Sequence, residues 1–430
     1  MRYICLFILC LGLWQCKNSH THEPAPIPES VGKPDTIGTI TPPIIITAGN
    51  AIGYDIALDT ANNIYVTGSF SATTTFGSIT KTVAGNTDVF IAKYKPDGLL
   101  EWVETIGGTS YDEGHGIAVD ANGNVYVTGH YYETISAGNF SVTSAGSADV
   151  FIAKYNTNGQ AQWIRSAGSD GGERGYDLAI DNMANVYVTG EFQGTGFFGS
   201  IRKQSAGEFD LFVAKYDTNG EFLWVQSAGG SHRETGNGIA TDPNSGDVYV
   251  TGTYFGTTTF GNTTRTSAGN ADVFIAKYSK DGSFQWMLSN GGPDSDSGIG
   301  ITTDRLGNIF VTGQHEVEAN GFLNKYSSDG SLLWGTPLDM NSQGAGVATD
   351  QSGNTYVISN VSVLLKYGPD GSLQRAEFPR SDDFVIGTGV AVGSHGKPYL
   401  TGFYRGNLTF GGSSKIAAGV RDMFVIAHPL

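Results

Sequence analysis

The heptapeptide "DVFIAKY" stands at 88–94, 149–155 and 272–278 letter for letter, and "DLFVAKY" follows the same plan at 210–216. A catalytic site is needed once per domain, whereas a packing problem recurs with every architectural unit. The repetition therefore points to architecture. Within the heptad, Val, Ile and Lys alternate with Phe, Ala and Tyr. Successive strand side chains point to opposite faces, so both faces are largely apolar, as in a sheet covered on each side.

Working outward, a second marker, "YVTG" with its variants, places an aromatic residue at Tyr65, Tyr126, Tyr187, Tyr249, Phe310, Tyr356 and Tyr399. The intervals are 61, 61, 62, 61, 46 and 43 residues, which makes seven units. One unit reads "GHGIAVDANGNVYVTGHYYETISAGNFSVTSAGSADVFIAKYNTNGQAQWIRSAG" from 114. "GIAVD" and "NVYVTGHY" are β-rich runs joined by a tight "ANG" turn. A loop of Gly, Ser and Thr leads to "DVFIAKY", and "NTNG" turns it into "AQWIRSAG". No helical period of useful length appears. A four-stranded sheet cannot bury both faces alone, but neighbouring copies do so for one another.

The expected fold is all-β: a seven-bladed β-propeller of four-stranded antiparallel blades. The seventh unit stops after its third strand, at Leu430, and "PPIIITAG" at 42–49 has the character of the missing fourth. The expectation is a ring closed by an N-terminal strand completing the last blade.

Composition agrees. Glycine is 61 of 430 residues, and only 15% are charged, against about 25% in an ordinary soluble domain. Glycine with threonine, aromatic and β-branched residues indicates short strands and tight turns. The net charge of −16 repels nucleic acid and anionic lipid. Cysteine is confined to Cys5, Cys10 and Cys16, so the repeats contain no disulfide, thiol nucleophile or thiolate-bound metal. Arg2 precedes an apolar run from Ile4 to Trp14, too short to span a bilayer and suited to an export signal. The run ends at Cys16, which resembles the lipidated first residue of a bacterial lipoprotein. Leu13 fits the pattern, while Trp14 and Gln15 stand where small residues are usual. The organisation expected is a lipoprotein-like signal peptide over 1–16, a Pro-rich tether over 17–40 and the propeller over 41–430. The protein is expected to be exported to the outer membrane, cell surface or periplasm, or otherwise secreted.

The order "GNVYVTG…FG…SAG…DVFIAKY…DG…W" resembles the bacterial β-propeller repeat family abbreviated SBBP, over nearly the whole chain from about residue 42. The resemblance implies an exported or surface-attached protein and no common activity. Units five and six depart from it by losing the long middle loop. The sixth has "LQRAEF" where the tryptophan should be, and the seventh has His428 in place of the lysine of "KY".

Trp102, Trp163, Trp224, Trp286 and Trp334 each follow a turn glycine by four positions. This spacing resembles the tryptophan-docking motif of quinoprotein propellers, so they are read as anchors between blades. The "DxxGN" segments, such as "DANGN" at 120–124, combine calcium-like residues but sit in the first hairpin, where Asn and Gly serve the turn. His115 and His130 fall on adjacent strands of unit two and are the one histidine pair placed to meet. With no HExxH, no Ser-His-Asp order and no phosphate loop, no catalytic group, metal or cofactor is expected. Calcium is the one ion the acidic loops leave open.

Loops leading into the innermost strands share a face with those between second and third strands. They carry Asp112, Glu113, Asp170, Glu173, Glu234, Asp294, Asp296, Asp382 and Asp383. Gathered on one rim and flanked by Thr-rich loops, these form a candidate binding face for an extracellular or envelope protein or a glycan. Units five and six, without the long loop, would leave one sector of the rim low. The leading expectation is a monomeric, lipid-tethered binder without catalysis. The alternatives are a hydrolase or lyase at the channel mouth, drawing on Asp55, Asp177 and His115, and an inert scaffold.

Overall fold

The computed structural model describes residues 43–315, 320–338 and 342–428. The signal peptide, the tether and Cys16 lie outside the described residues, and residues 41–430 fall in one compact unit. Among the described residues every regular element is a strand. In the first sheet, Ala51–Leu58, Ile64–Phe70, Asp88–Tyr94 and Leu100–Ile106 pair in chain order, all antiparallel. The same meander recurs in sheets whose first strands are Asp112–Val119, Arg174–Ile180, Glu234–Thr241, Asp296–Thr303 and Gly344–Thr349. The last sheet takes Phe384–Val392, Pro398–Arg405 and Asp422–Ala427, and its fourth member is Ile44–Ala48, with Ile45 opposite Ile426. Each first strand lies against the first strand of the next sheet, and Phe384–Val392 lies against Ala51–Leu58.

The two-faced heptad explains the stacking. In Asp88–Tyr94, Phe90, Ala92 and Tyr94 join a core with Met423 and Val425 of the last sheet. Val89 and Ile91 face the other way, into a core with Val125, Val127 and Phe151 of the second sheet. One strand thus serves two cores, which is why both of its faces are apolar.

"YVTG" has an equally local cause. The first strand of each sheet carries a β-bulge, between Gly114 and Gly116 in the second sheet. The bulge drives the Glu113 carbonyl toward the neighbouring strand, where a Cβ on Gly129 would lie 1.9 Å from it. Only glycine fits. The preceding Thr128 hydroxyl donates to the Phe151 carbonyl at 2.8 Å, so the buried hydroxyl is satisfied.

The tryptophans reach into the following sheet. Trp163 Nε1 donates to the Thr218 carbonyl at 3.2 Å, and the Lys154 ammonium donates to the same oxygen at 2.9 Å. Gly220, at φ 78, lies so close beneath the Trp163 ring that a Cβ would meet it at 2.8 Å. Trp102, Trp224 and Trp334 repeat the bond on Thr157, Lys280 and Pro369, and Trp286 lies beside Gly330. In the last sheet Ile44 takes this place over Gly98.

Three expectations need correction. The long middle loops are β-hairpins, either separate ones such as Thr195–Phe198 with Ile201–Gln204, or extensions of long strands such as Val125–Ala137. They do not stand around the rim. Phe198 and Phe260 are buried, and the hairpins bond the end of the preceding sheet's fourth strand through Gly168–Phe197 and Ala228–Phe260. Apolar residues alternating with threonine turn what reads as loop into a wedge between sheets. The fifth and sixth sheets therefore lack a wedge, which is different from a lowered rim. Finally, Ala427 lies opposite Tyr399 as Lys93 lies opposite Tyr65, so His428 stands at the tyrosine's place and not at the lysine's.

Candidate functional site

The lead-in segments do share an edge with the starts of the third strands. Thr87 bridges Tyr111, Phe209 bridges Arg233, and Ala271 bridges Ser295. The nine acidic residues nevertheless divide. Asp112, Glu173, Glu234 and Asp296 are buried and do not form a solvent rim. Each carboxylate accepts the backbone N–H four residues upstream, for example Gly230 to Glu234 at 2.9 Å and Gly292 to Asp296 at 2.6 Å. Asp112 accepts from Gly108 and Glu173 from Ser169, both at 2.9 Å. They staple the lead-in turn shut, a local role that residue type alone does not reveal. Burial pushes Asp112, Glu173 and Glu234 up to about 7.

Of the others, Asp170 is exposed, and Glu113 and Asp294 are half-buried. Asp382 accepts the Asn407 N–H at 2.6 Å, and Asp383 pairs with Arg405. Apart from the neighbours Asp382 and Asp383, these residues belong to different sheets, and they make no common cluster among the described contacts. The "DxxGN" carboxylates are turn staples too. Asp120 takes the N–H groups of Asn122 and Asn124, both at 2.9 Å.

Asp55 and Asp177 are struts between first strands. Asp55 accepts the Ile117 N–H and Asp177 the Ile239 N–H, each at 2.9 Å, and each takes the N–H of its own following residue on the other oxygen. Burial raises both, Asp55 to about 6, and Asp177 rises further against the Asp55 charge.

A different cluster forms where the first two strands of the second and third sheets meet the lead-in of the fourth. Glu191, fully buried, accepts from Arg174 at 3.1 Å, from Arg233 at 2.7 and 2.8 Å, and from the Tyr176 hydroxyl at 2.8 Å. Beside it His115 Nε2 lies 3.1 Å from His130 Nδ1, and Glu113 Oε2 lies 3.6 Å from His115 Nε2. Tyr54 and Tyr176 flank the His115 ring at 5.0 and 5.9 Å. Burial, helped by the Arg174 charge, lowers His115 to about 4, and His130 also falls below its usual value, for burial and the His115 charge.

The bulge builds this cluster. Glu113 pairs with His130 and Gly116 with Thr128, so His115 is the extra residue, and Tyr54 and Tyr176 hold the same place in the flanking sheets. Arg174, Tyr176, Glu191 and Arg233 escaped the sequence reading. The signal lies in the repeats: the residue after "VTG" is Ser69, His130, Glu191, Thr253 and Gln314 in successive units, variable amid constant neighbours.

A cavity of about 380 Å³ lies near the opposite edge, lined by Asp350, Asn354, Tyr356, Lys366, His395 and Gly396. Arg375 takes the register position of a tryptophan in the sixth sheet, and its partner Lys366 lines the cavity.

Residues 101–130 and 285–314 match the model of the beta-propeller repeat, SBBP. Both segments carry that repeat. Each runs from the fourth strand of one sheet to the second strand of the next, and the first contains Glu113, His115 and His130. An uncharacterized WD repeat-containing protein of Acanthamoeba polyphaga mimivirus is 24% identical, over 70% of this chain and 29% of its own. The regulatory protein FlaEY of Caulobacter vibrioides is 25% identical over 32% of this chain and 15% of its own. The chain thus spans less than a third of either relative. A crystal structure of a protein of unknown function from Bacteroides caccae aligns at a TM-score of 0.32 and 14% identity, covering 44% of this chain and 61% of that one.

Proposed function

We propose that the chain is an exported binding scaffold. Its four-stranded sheets are the blades of a seven-bladed β-propeller, closed where Ile44–Ala48 completes the last blade. The lead-in edge of the innermost strands holds an envelope or extracellular protein or a glycan, and the scaffold acts as a monomer, without catalysis and without need of a cofactor. Cys16, through its lipoprotein-like leader, ties the scaffold to a membrane.

The observation that carries this reading is Glu191, buried and held by Arg174, Arg233 and Tyr176. Removing one partner of a buried charged network is costly, so a network concentrated in one sector of an otherwise repetitive ring is better accounted for by recognition than by folding. The Arg174 and Arg233 side chains remain partly exposed, at 35% and 25%, and hold their donors beside the Tyr176 ring. Planar donors and aromatic faces suit carboxylates, amides and sugar hydroxyls. The catalytic alternative is weaker because Asp55 and Asp177 already bond backbone amides with both oxygens.

The test is a binding screen of the purified protein against glycans and against envelope and matrix proteins, with and without calcium. A reproducible ligand should lose at least about tenfold in affinity on Arg174→Ala or Arg233→Ala, the loss of one charge-assisted hydrogen bond. Asp382→Asn should leave it unchanged. Binding that ignores both arginines and follows Asp382 or Asp383 would move the site elsewhere on the edge. A blank in every condition would remove the binding reading and turn attention to substrate screening.

A further inference from the structure

Glu113 and His115 lie on the first strand of the second sheet and His130 on its second strand, and one donor atom from each lies within 4.8 Å of the other two. His115 Nε2 and His130 Nδ1 share a hydrogen bond at 3.1 Å, whose proton a bound ion would replace, and the Glu113 oxygen is 3.6 Å from His115 Nε2. Ligands about 2.0–2.1 Å from a tetrahedral Zn2+ stand about 3.3 Å from each other. The two separations of 3.1 and 3.6 Å lie on either side of that value, and the third pair lies within 4.8 Å.

The placement is fixed by the backbone. The bulge at Gly114 and Gly116 inserts His115 as an extra residue beside the Glu113–His130 pair, and a bulge re-aims a side chain. Aromatic rings enclose the pair: Tyr54 and Tyr176 around His115, and Tyr132 at 6.0 Å from His130. The two imidazoles are stacked at 15°.

We infer that Glu113, His115 and His130 form a site for one divalent transition ion of the Zn2+ kind, with three protein ligands and a fourth position left to water or an anion. Two imidazoles and a carboxylate suit Zn2+ and disfavour Ca2+, which takes six or more oxygens. The opposing charge nearby is Arg174, and Glu191 binds it at 3.1 Å while also binding Arg233. Glu113 and Glu191 balance Arg174 and Arg233, so an ion leaves this sector positive and favours an anionic fourth ligand. The site stands independently of partner binding.

The experiment uses the full-length protein, stripped with a chelator and titrated with Co2+ as a spectroscopic probe and with Zn2+ by calorimetry. One equivalent should bind, with visible d–d absorption from Co2+ that Zn2+ abolishes. His115→Ala and His130→Ala should each weaken binding by at least about 100-fold. Glu113→Gln leaves both imidazoles in place and should weaken it at least about tenfold, deciding the matter if a histidine variant fails to fold. Zn2+ should raise the melting temperature of the wild type and not that of folded His130→Gln. The paired substitution His20→Ala and His22→Ala, outside the described residues, should change nothing. A folded wild type that takes no ion overturns the inference. So does binding that survives the changes at Glu113, His115 and His130, or that disappears with His20 and His22.

Discussion

At the scale of residues, most of the acidic side chains that look functional are bound to backbone amides. The aspartate opening each "DVFIAKY" is one of them: Asp149 accepts the Ala145 N–H at 3.0 Å, and Asp272 the Ala268 N–H at 3.1 Å. Glu234 lets this be tested. Its folded value, near 7, lies above the ordinary 4.5, so between those values the folded protein holds a proton that the unfolded chain has lost. Stability from this group is full at low pH and is lost as pH rises through about 7. Denaturant titrations from pH 4 to pH 8 should show stability falling with pH, and Glu234→Gln should reduce the fall. Glu234 accepts from the Gly230 N–H and from the Thr258 hydroxyl; in the variant the amide oxygen keeps the first, and the Thr258 hydroxyl turns to accept from the amide nitrogen. An unchanged slope in the variant would show that Glu234 ionises as in the unfolded chain. The sequence showed these carboxylates on lead-in segments and left open whether each side chain points to solvent or back to its own turn. That choice depends on a hydrogen bond four residues away, which composition does not encode.

At the scale of elements, the recurring joint between consecutive sheets is a tryptophan over a turn glycine, and for Trp102, Trp163 and Trp224 a lysine shares the same carbonyl. This was legible, because the four-residue spacing from glycine to tryptophan recurs five times. The hairpin wedges were not, because a run such as "GTTTFGNTTRTS" has loop composition and pairs only when Phe260 finds a core to enter. Trp163 is 5% exposed and makes both a packing and a hydrogen-bonding contact with the third sheet. Trp163→Ala should cost about 3–5 kcal/mol, read as a lowered denaturant midpoint with an unchanged slope. A loss below about 1 kcal/mol would mean that the heptad cores hold the sheets without it. In the sixth sheet Arg375 stands in the indole's place, and its register partner Lys366 lines the cavity of about 380 Å³.

At the scale of the whole molecule, repeats of one sequence order pack first strand against first strand from Ala51–Leu58 through Phe384–Val392, which meets Ala51–Leu58 again. The repeats were legible from spacing and the N-terminal strand from the apolar run "PPIIITAG" upstream of the first unit, whereas the charged sector was not. It arises from bulge positions and from the residue after "VTG", where the repeats differ, and repeat logic averages such differences away. The proposed ring depends on Ile44–Ala48 pairing with Asp422–Ala427, two segments some 375 residues apart in the chain. Hydrogen–deuterium exchange resolved to these two segments tests that most directly. If the ring is closed there, both strands open only with the whole molecule, and their amides exchange at the same slow rate. Rapid exchange across Ile44–Ala48 beside a protected Asp422–Ala427 would contradict closure and leave an open stack of sheets in its place.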